Sequence, residues 1–214
     1  MNRQETAERF IQKMLVYDQR SCYLLNWSLL LNLLYAVFHL FIGISLGSWW
    51  NTALCAYYAI LAIMRFHLLR SMRRQNERAA RNAYRHTAYG LAFLTVVMAG
   101  IFVQIAKGTA SFHYPGYTIY AMAVYAFARI IVAVMNLVRR RRNENKELAA
   151  ARCVSFAGAL MSIHALQTGM FNAFDEAGSL FSRQMDIGVG AVIALLLMGL
   201  SLGMLRKARQ EKHL

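Results

Sequence analysis

Charge is scarce in this chain. Only 16% of its 214 residues are charged, where a soluble domain of that size carries roughly 25%. What charge there is lies clumped between long uncharged runs, which marks a membrane chain rather than a soluble one. Acids are scarcer still, with 24 Lys and Arg against 10 Asp and Glu, and none of the acids falls in the middle of an apolar run. Paired intramembrane carboxylates for proton-coupled chemistry are therefore missing. The three cysteines, Cys22, Cys55 and Cys153, are isolated, so they give neither a disulfide framework nor a zinc site and read as small buried hydrophobes. There is no P-loop, no G-x-S-x-G and no H-E-x-x-H. Arg65, Arg70 and Arg73 do not keep the constant three-residue step of a voltage sensor. The loops are too short to hold a soluble catalytic domain. These absences argue against an enzyme, and no cofactor or metal is expected.

What is present is six apolar segments, each long enough to cross about 30 Å of hydrocarbon at 1.5 Å per residue. They run roughly from Cys22 to Leu46, Trp50 to Leu69, His86 to Ala106, Gly116 to Val138, Cys153 to Phe171 and Met185 to Leu205. The fold expected is an all-α integral membrane protein with a six-helix transmembrane domain over residues 22–205. Residues 1–21 precede it and a basic cytosolic tail, 206–214, follows it. The polar stretch Met1 to Arg20 and the long apolar run after it do not make a cleavable signal peptide. Phe10, Met14 and Tyr17 share one helical face, so this stretch reads as an interfacial helix on the inner leaflet. It can also be a solvated extension of the first span.

Orientation follows from the basic residues. Arg3, Arg9, Lys13 and Arg20 lie before the first span, and Arg70, Arg73, Arg74, Arg78, Arg81 and Arg85 lie between the second and third. Arg139 to Arg142, Lys146 and Arg152 lie between the fourth and fifth, and Arg206, Lys207, Arg209 and Lys212 form the tail. Six spans put all four groups on one side, and the opposite side keeps only Lys107 and Arg183 beside its acids. That is the positive-inside pattern with both termini in the cytosol. Trp49, Trp50, Phe112, Tyr114 and Tyr117 at one boundary, and Tyr17, Tyr23, Trp27, Tyr84 and Tyr89 at the other, suit the headgroup zones. The net charge of +14 is explained by this bias rather than by nucleic-acid binding. Its partners would be membrane lipids, with anionic headgroups against the cytosolic face. A bacterial plasma membrane is the expected location.

The inner segments resemble one another. Arg73-Arg74-Gln75-Asn76-Glu77, Arg140-Arg141-Arg142-Asn143-Glu144 and Arg206-Lys207-Ala208-Arg209-Gln210-Glu211 bring Glu77, Glu144 and Glu211 to equal spacing. A genuine repeat would give three pseudo-repeated helical hairpins: the second and third spans, the fourth and fifth, and the sixth with the first. Loops under one charge bias also resemble one another without a repeat. Mitochondrial carriers share the three-hairpin plan, but their Pro-x-Asp/Glu-x-x-Lys/Arg signature is absent, because Pro115 is the only proline.

A polar side chain at membrane depth is costly, so it is the first place to look for function. Arg129 lies inside the fourth span, about 15 Å by helical rise from Arg139, which is long for snorkelling. Its partners must be neutral groups, lipid phosphate or an anionic ligand. Arg65 sits one to two turns from Arg70 and can snorkel to the inner leaflet, or share a cavity with Arg129. His164, Gln167 and Thr168 occupy roughly one face of the fifth span. His39 and Asn32 lie in the first. Histidines of this kind more often bond between helices than relay protons. Tyr57, Tyr58, Tyr120 and Tyr125 offer hydroxyls for a polar pathway, although packing is the commoner use of tyrosine. Gly43-Gly47, Gly199-Gly203 and Ser155-Ala159 allow close helix approach, and the sixth span is the glycine-rich one.

Two functions stand against each other. In a small transporter or channel, Arg129 with Arg65, Asn32, Tyr58, Tyr125, His164 and Gln167 would bind a solute. Buried arginine without buried acid favours an anionic or neutral one. In a non-transporting scaffold, the basic cytosolic face would bind anionic lipid or a partner protein. Either form can be a homo-oligomer. An intramembrane enzyme built on His164 and His39 ranks last.

Overall fold

A computed structural model describes the backbone of residues 3–74, 76–106, 116–138, 145–174 and 180–210, and side chains over a slightly narrower set that begins at Cys22. Among these residues there is no strand. Six helices follow in chain order: α1 Arg3–Leu46, α2 Trp49–Arg74, α3 Glu77–Ala106, α4 Gly116–Val138, α5 Lys146–Phe174 and α6 Leu180–Gln210. Five of them are long and apolar enough to cross a membrane. In α4 the apolar stretch with described side chains, Ile119–Met135, is shorter, but its 23-residue helix is about 35 Å long. The chain is an all-α membrane protein.

Most helices outrun their apolar segments. α3 begins at Glu77 rather than near His86, α5 at Lys146 rather than Cys153, and α2 continues to Arg74. Arginine, lysine and glutamate are good helix formers, so the helix persists after the hydrophobic stretch has ended. Specific caps set two of the starts. The Asn76 side-chain oxygen accepts from the Arg78 backbone N–H at 2.9 Å, and its carbonyl accepts from Ala80. The Asn145 carbonyl accepts from Leu148 and Ala149. Asparagine is favoured at such positions, and Glu77 and Glu147 in the first turns suit the positive helix end. α1 and α2 are joined by a tight turn at Gly47, whose φ of 59° belongs to the left-handed region that glycine tolerates.

α1 is helical without a break from Arg3 to Leu46. The side chains of its first part, including Phe10, Met14 and Tyr17, lie outside the described residues, as do the 107–115, 139–144, 175–179 and 211–214 segments with Pro115, Glu144 and Glu211.

Most packed pairs run in opposite directions, as pairs of contacts at two heights show. In α1 and α2, Tyr35 meets Tyr58 and His39 meets Asn51. In α2 and α5, Ser71 meets Glu147 at one end and Trp50 meets His164 at the other. In α3 and α6, the Ser201 hydroxyl donates to the Ala88 carbonyl, and Phe102 fills the place a side chain at Gly190 would take. α1 and α4 are opposed as well, since Ser28 meets Arg129 while Asn32 meets Tyr125. This alternation brings the arginine-rich ends of α2, α3 and α6 to one side of the bundle.

α5 packs on α2, α3, α4 and α6 and is the most buried span, with α2 next. α1 packs chiefly on α2, and α6 on α3. The hairpins α2–α3 and α4–α5 anticipated from the repeated motif are both packed pairs. α6, the other half of the split third unit, rests on α3 and α5 instead of pairing with α1 in the same way. The caps of α3 and α5, Asn76 and Asn145, are also spaced two residues wider than Glu77 and Glu144. The tightly packed glycines differ from expectation too. Gly190 is closely approached, but Gly188, Gly199 and Gly203 of α6 have no described neighbour within 4 Å and face outward, where lipid would lie. The cysteines are half-buried rather than fully buried.

Candidate functional site: two arginines on one turn of α5

Ser155 and Gly158 stand three residues apart on α5, hence on one face and one turn. Each receives a guanidinium from a different helix. Arg65 of α2 donates from Nη2 to Ser155 Oγ at 3.0 Å. Arg129 of α4 lies against Gly158 and occupies the place where a Cβ at that position would stand. Glycine is required there by this close approach. The two guanidiniums, both positive, are thus seated within one turn of α5. Arg65 is 1% exposed and Arg129 2%. Snorkelling of Arg65 to the inner leaflet is therefore not what the structure shows: its side chain turns inward to α5, where a hydroxyl is available.

Hydrogen bonding leaves much of this charge unmatched. Arg129 Nη1 donates to Ser28 Oγ at 3.2 Å, and the Tyr125 ring lies 5.9 Å from Cζ, within cation–π range. Among the described residues, Arg129 Nε and Nη2 have no partner, nor does Arg65 Nε. Nε and Nη2 form the lateral fork with which a guanidinium grips a carboxylate or phosphate in bidentate fashion. Two neutral donors in the same cluster are also unmatched there, Asn32 Nδ2 and the Tyr58 hydroxyl. Asn32 uses only its oxygen, which accepts from Tyr125 Oη at 3.3 Å.

Aromatic rings fix the cluster's geometry. Tyr35 of α1 stacks on Tyr125 of α4 with centroids 3.6 Å apart and planes 5° from parallel. Tyr58 meets both edge-on, at 4.7 and 5.8 Å. Tyr57 Oη donates to the Ala157 carbonyl at 3.2 Å and pins α2 to α5. Tyr120, by contrast, is 76% exposed and belongs to the outer surface of the bundle.

The buried acids lie too far along α5 to neutralise the arginines. Glu147 accepts from Ser71 Oγ at 3.1 Å, and it is about 12 Å of helical rise below Ser155. Asp186 accepts from Gln167 Nε2 at 3.2 Å, and Gln167 is about 14 Å above Gly158. Gln167 is thus placed beside an acid of α6, apart from the arginines. His164, about 9 Å above Gly158 by rise, is fully buried edge-on to Trp50, with both ring nitrogens unpartnered among the described residues. His39 bonds through Nδ1 to Asn51 Oδ1 at 2.9 Å, and Asn51 Nδ2 donates to Ser48 Oγ.

The structure therefore gathers Arg129, Arg65, Tyr125, Tyr58 and Asn32, and sets His164 and Gln167 nearer the outer end. Ser28, Ser155 and Gly158 were missed as members of the site from sequence. The i, i+3 spacing of Ser155 and Gly158 was the available signal, but small residues are common in membrane helices for packing alone. Among the described residues, no group of His, Cys, Asp and Glu could hold a metal. The chain matches no protein-family model, no curated protein and no solved structure.

Proposed function

We propose that this protein is a small membrane transporter or channel whose mid-membrane site takes an anionic solute. The observation that carries the reading is the pair of buried guanidiniums on Ser155 and Gly158, with N–H groups left unpartnered and no acid beside them among the described residues. A single arginine at the bilayer centre costs about 3 kcal/mol on insertion scales and far more in simulation. Two that repel one another are harder to hold, so an anion between them relieves that cost. The surrounding groups support this, because the unmatched Asn32 amide and Tyr58 hydroxyl can both donate to oxygen. A bacterial plasma membrane with the basic ends inside is part of the same proposal.

A scaffold reading draws support from another region. Arg70, Arg73, Arg74, Arg78, Arg206, Lys207 and Arg209 are all exposed, and each basic residue near an anionic membrane surface contributes about 1 kcal/mol of attraction. Flux separates the two readings. Protein in phosphatidylcholine vesicles is assayed for entry of chloride, nitrate, acetate, sulfate and phosphate. Transport predicts flux of at least one of them and its loss in Arg129→Ala. Robust flux that Arg129→Ala leaves unchanged removes Arg129 from the pathway. No flux of any anion, with retention on anionic lipid, selects the scaffold.

A further inference from the structure

We infer that the site on α5 selects a dianion over a monoanion, through one negative charge for each guanidinium. This rests on the anion-binding reading above and names the class of anion. Ser155 and Gly158 hold the two cations on one turn, one from α2 and the other from α4. Each presents an Nε–H unpartnered among the described residues, and Arg129 adds an unpartnered Nη2. One charge of the anion meets the Arg129 Nε–H and the other meets the Arg65 Nε–H, each as a charge-assisted hydrogen bond.

Charge matching fixes the preference. With nearly complete burial of both guanidiniums, water screens their field poorly, and a charge left over in low dielectric is expensive. A monoanion would leave one net positive charge at the centre of the bundle. A dianion leaves none. The buried acids Glu147 and Asp186 are already engaged by Ser71 and Gln167, at heights about 12 to 14 Å away by rise along α5. The unpartnered guanidinium and amide N–H groups can only donate, which suits fully ionised oxygens rather than a protonated acid. The two charges can sit on one group, as in sulfate or a phosphate monoester, or on two, as in a short dicarboxylate.

The test measures ligand-dependent thermal protection of the full chain in detergent, at constant ionic strength, with sulfate, inorganic phosphate and succinate as dianions and nitrate and acetate as monoanions. At least one dianion should bind about tenfold or more tightly than both monoanions, about one decade of affinity being a readily measured gap. Arg65→Gln should cut that dianion's affinity about tenfold and leave the monoanions within about threefold, so the preference collapses. Arg65→Lys, which keeps the charge and loses the fork, should retain much of the dianion preference and shows that the effect is charge and not misfolding. Protection by sulfate alone, by phosphate alone or by succinate alone supports the inference and tells which arrangement of the two charges is taken. Equal protection by monoanions in the wild type, or a preference that survives Arg65→Gln, overturns the dianion inference while the anion site stands. No protection by any of the five overturns both.

Discussion

Asp186 and Gln167 form a matched pair between α5 and α6, acceptor to donor at 3.2 Å. About 14 Å lower along α5, at Gly158, Arg129 of α4 uses one nitrogen on Ser28 and leaves two without a partner among the described residues. Both regions are polar and both lie within membrane-spanning helices. The outer one also holds His39 and Asn51 bonded across the α1–α2 hairpin, with Ser48 of the turn accepting from Asn51. Within these two sets donors are paired with acceptors, while His39 Nε2 and both His164 ring nitrogens have no partner among the described residues. The middle one is made almost wholly of donors, so it cannot satisfy itself. Buried polarity of the first sort holds helices in register, and of the second sort calls for something from outside the chain.

That contrast can be broken by moving the charges or their seat. The largest effect is expected for Gly158→Leu. A side chain at 158 would take the place of the guanidinium, so Arg129 must leave α5, and all anion-dependent protection and flux should vanish along with a substantial drop in melting temperature. A Gly158→Leu protein that still binds the anion would show that Gly158 is not the seat. Next is Arg129→Gln, which removes the fork but keeps a polar side chain. It should weaken the anion at least about a hundredfold, two decades being the loss of a strong charge-assisted contact of about 3 kcal/mol. Asp186→Asn is the matching change in the outer region and should leave anion affinity within about threefold. An equal loss in both variants would erase the distinction between the two regions.

Smaller effects sharpen it. Asn51→Ala leaves His39 Nδ1 without its partner, and a buried unmatched group costs about 1–3 kcal/mol. Unfolding in detergent should register that loss with no change in anion preference. Gln167→Ala should cost least, about 0.6 kcal/mol, the average for a polar contact between membrane helices. If Gln167→Ala instead lowers anion affinity as much as Arg129→Gln, the outer region belongs to the site.

The architecture was legible because it depends on long-range composition. Six apolar runs, basic residues on alternate loops and a glycine at 47 are visible without contacts, and the helices follow them. Helix ends were less legible, since Glu77 and Lys146 sit in charged stretches that read as loop until Asn76 and Asn145 are seen as caps. Arg129 stood out from its depth alone. Arg65 did not, because its height along α2 suits snorkelling, and only the hydroxyl of Ser155 on another helix explains its inward course. Gln167 shows the opposite limit. Its helical face is shared with His164, but its partner Asp186 comes from α6, and sequence spacing within one helix says nothing about what the neighbour brings.

Gly158 carries a consequence for how such a site could change over time. Its role is fulfilled by the lack of a side chain, so each larger residue there would act as a tethered plug competing with Arg129 for one volume. Alanine, valine and leucine would then form a graded series that shifts a fixed positive charge away from the centre by increasing amounts, with no change in the chain's net charge. A single codon would in effect set the height of the electrostatic well inside the bundle.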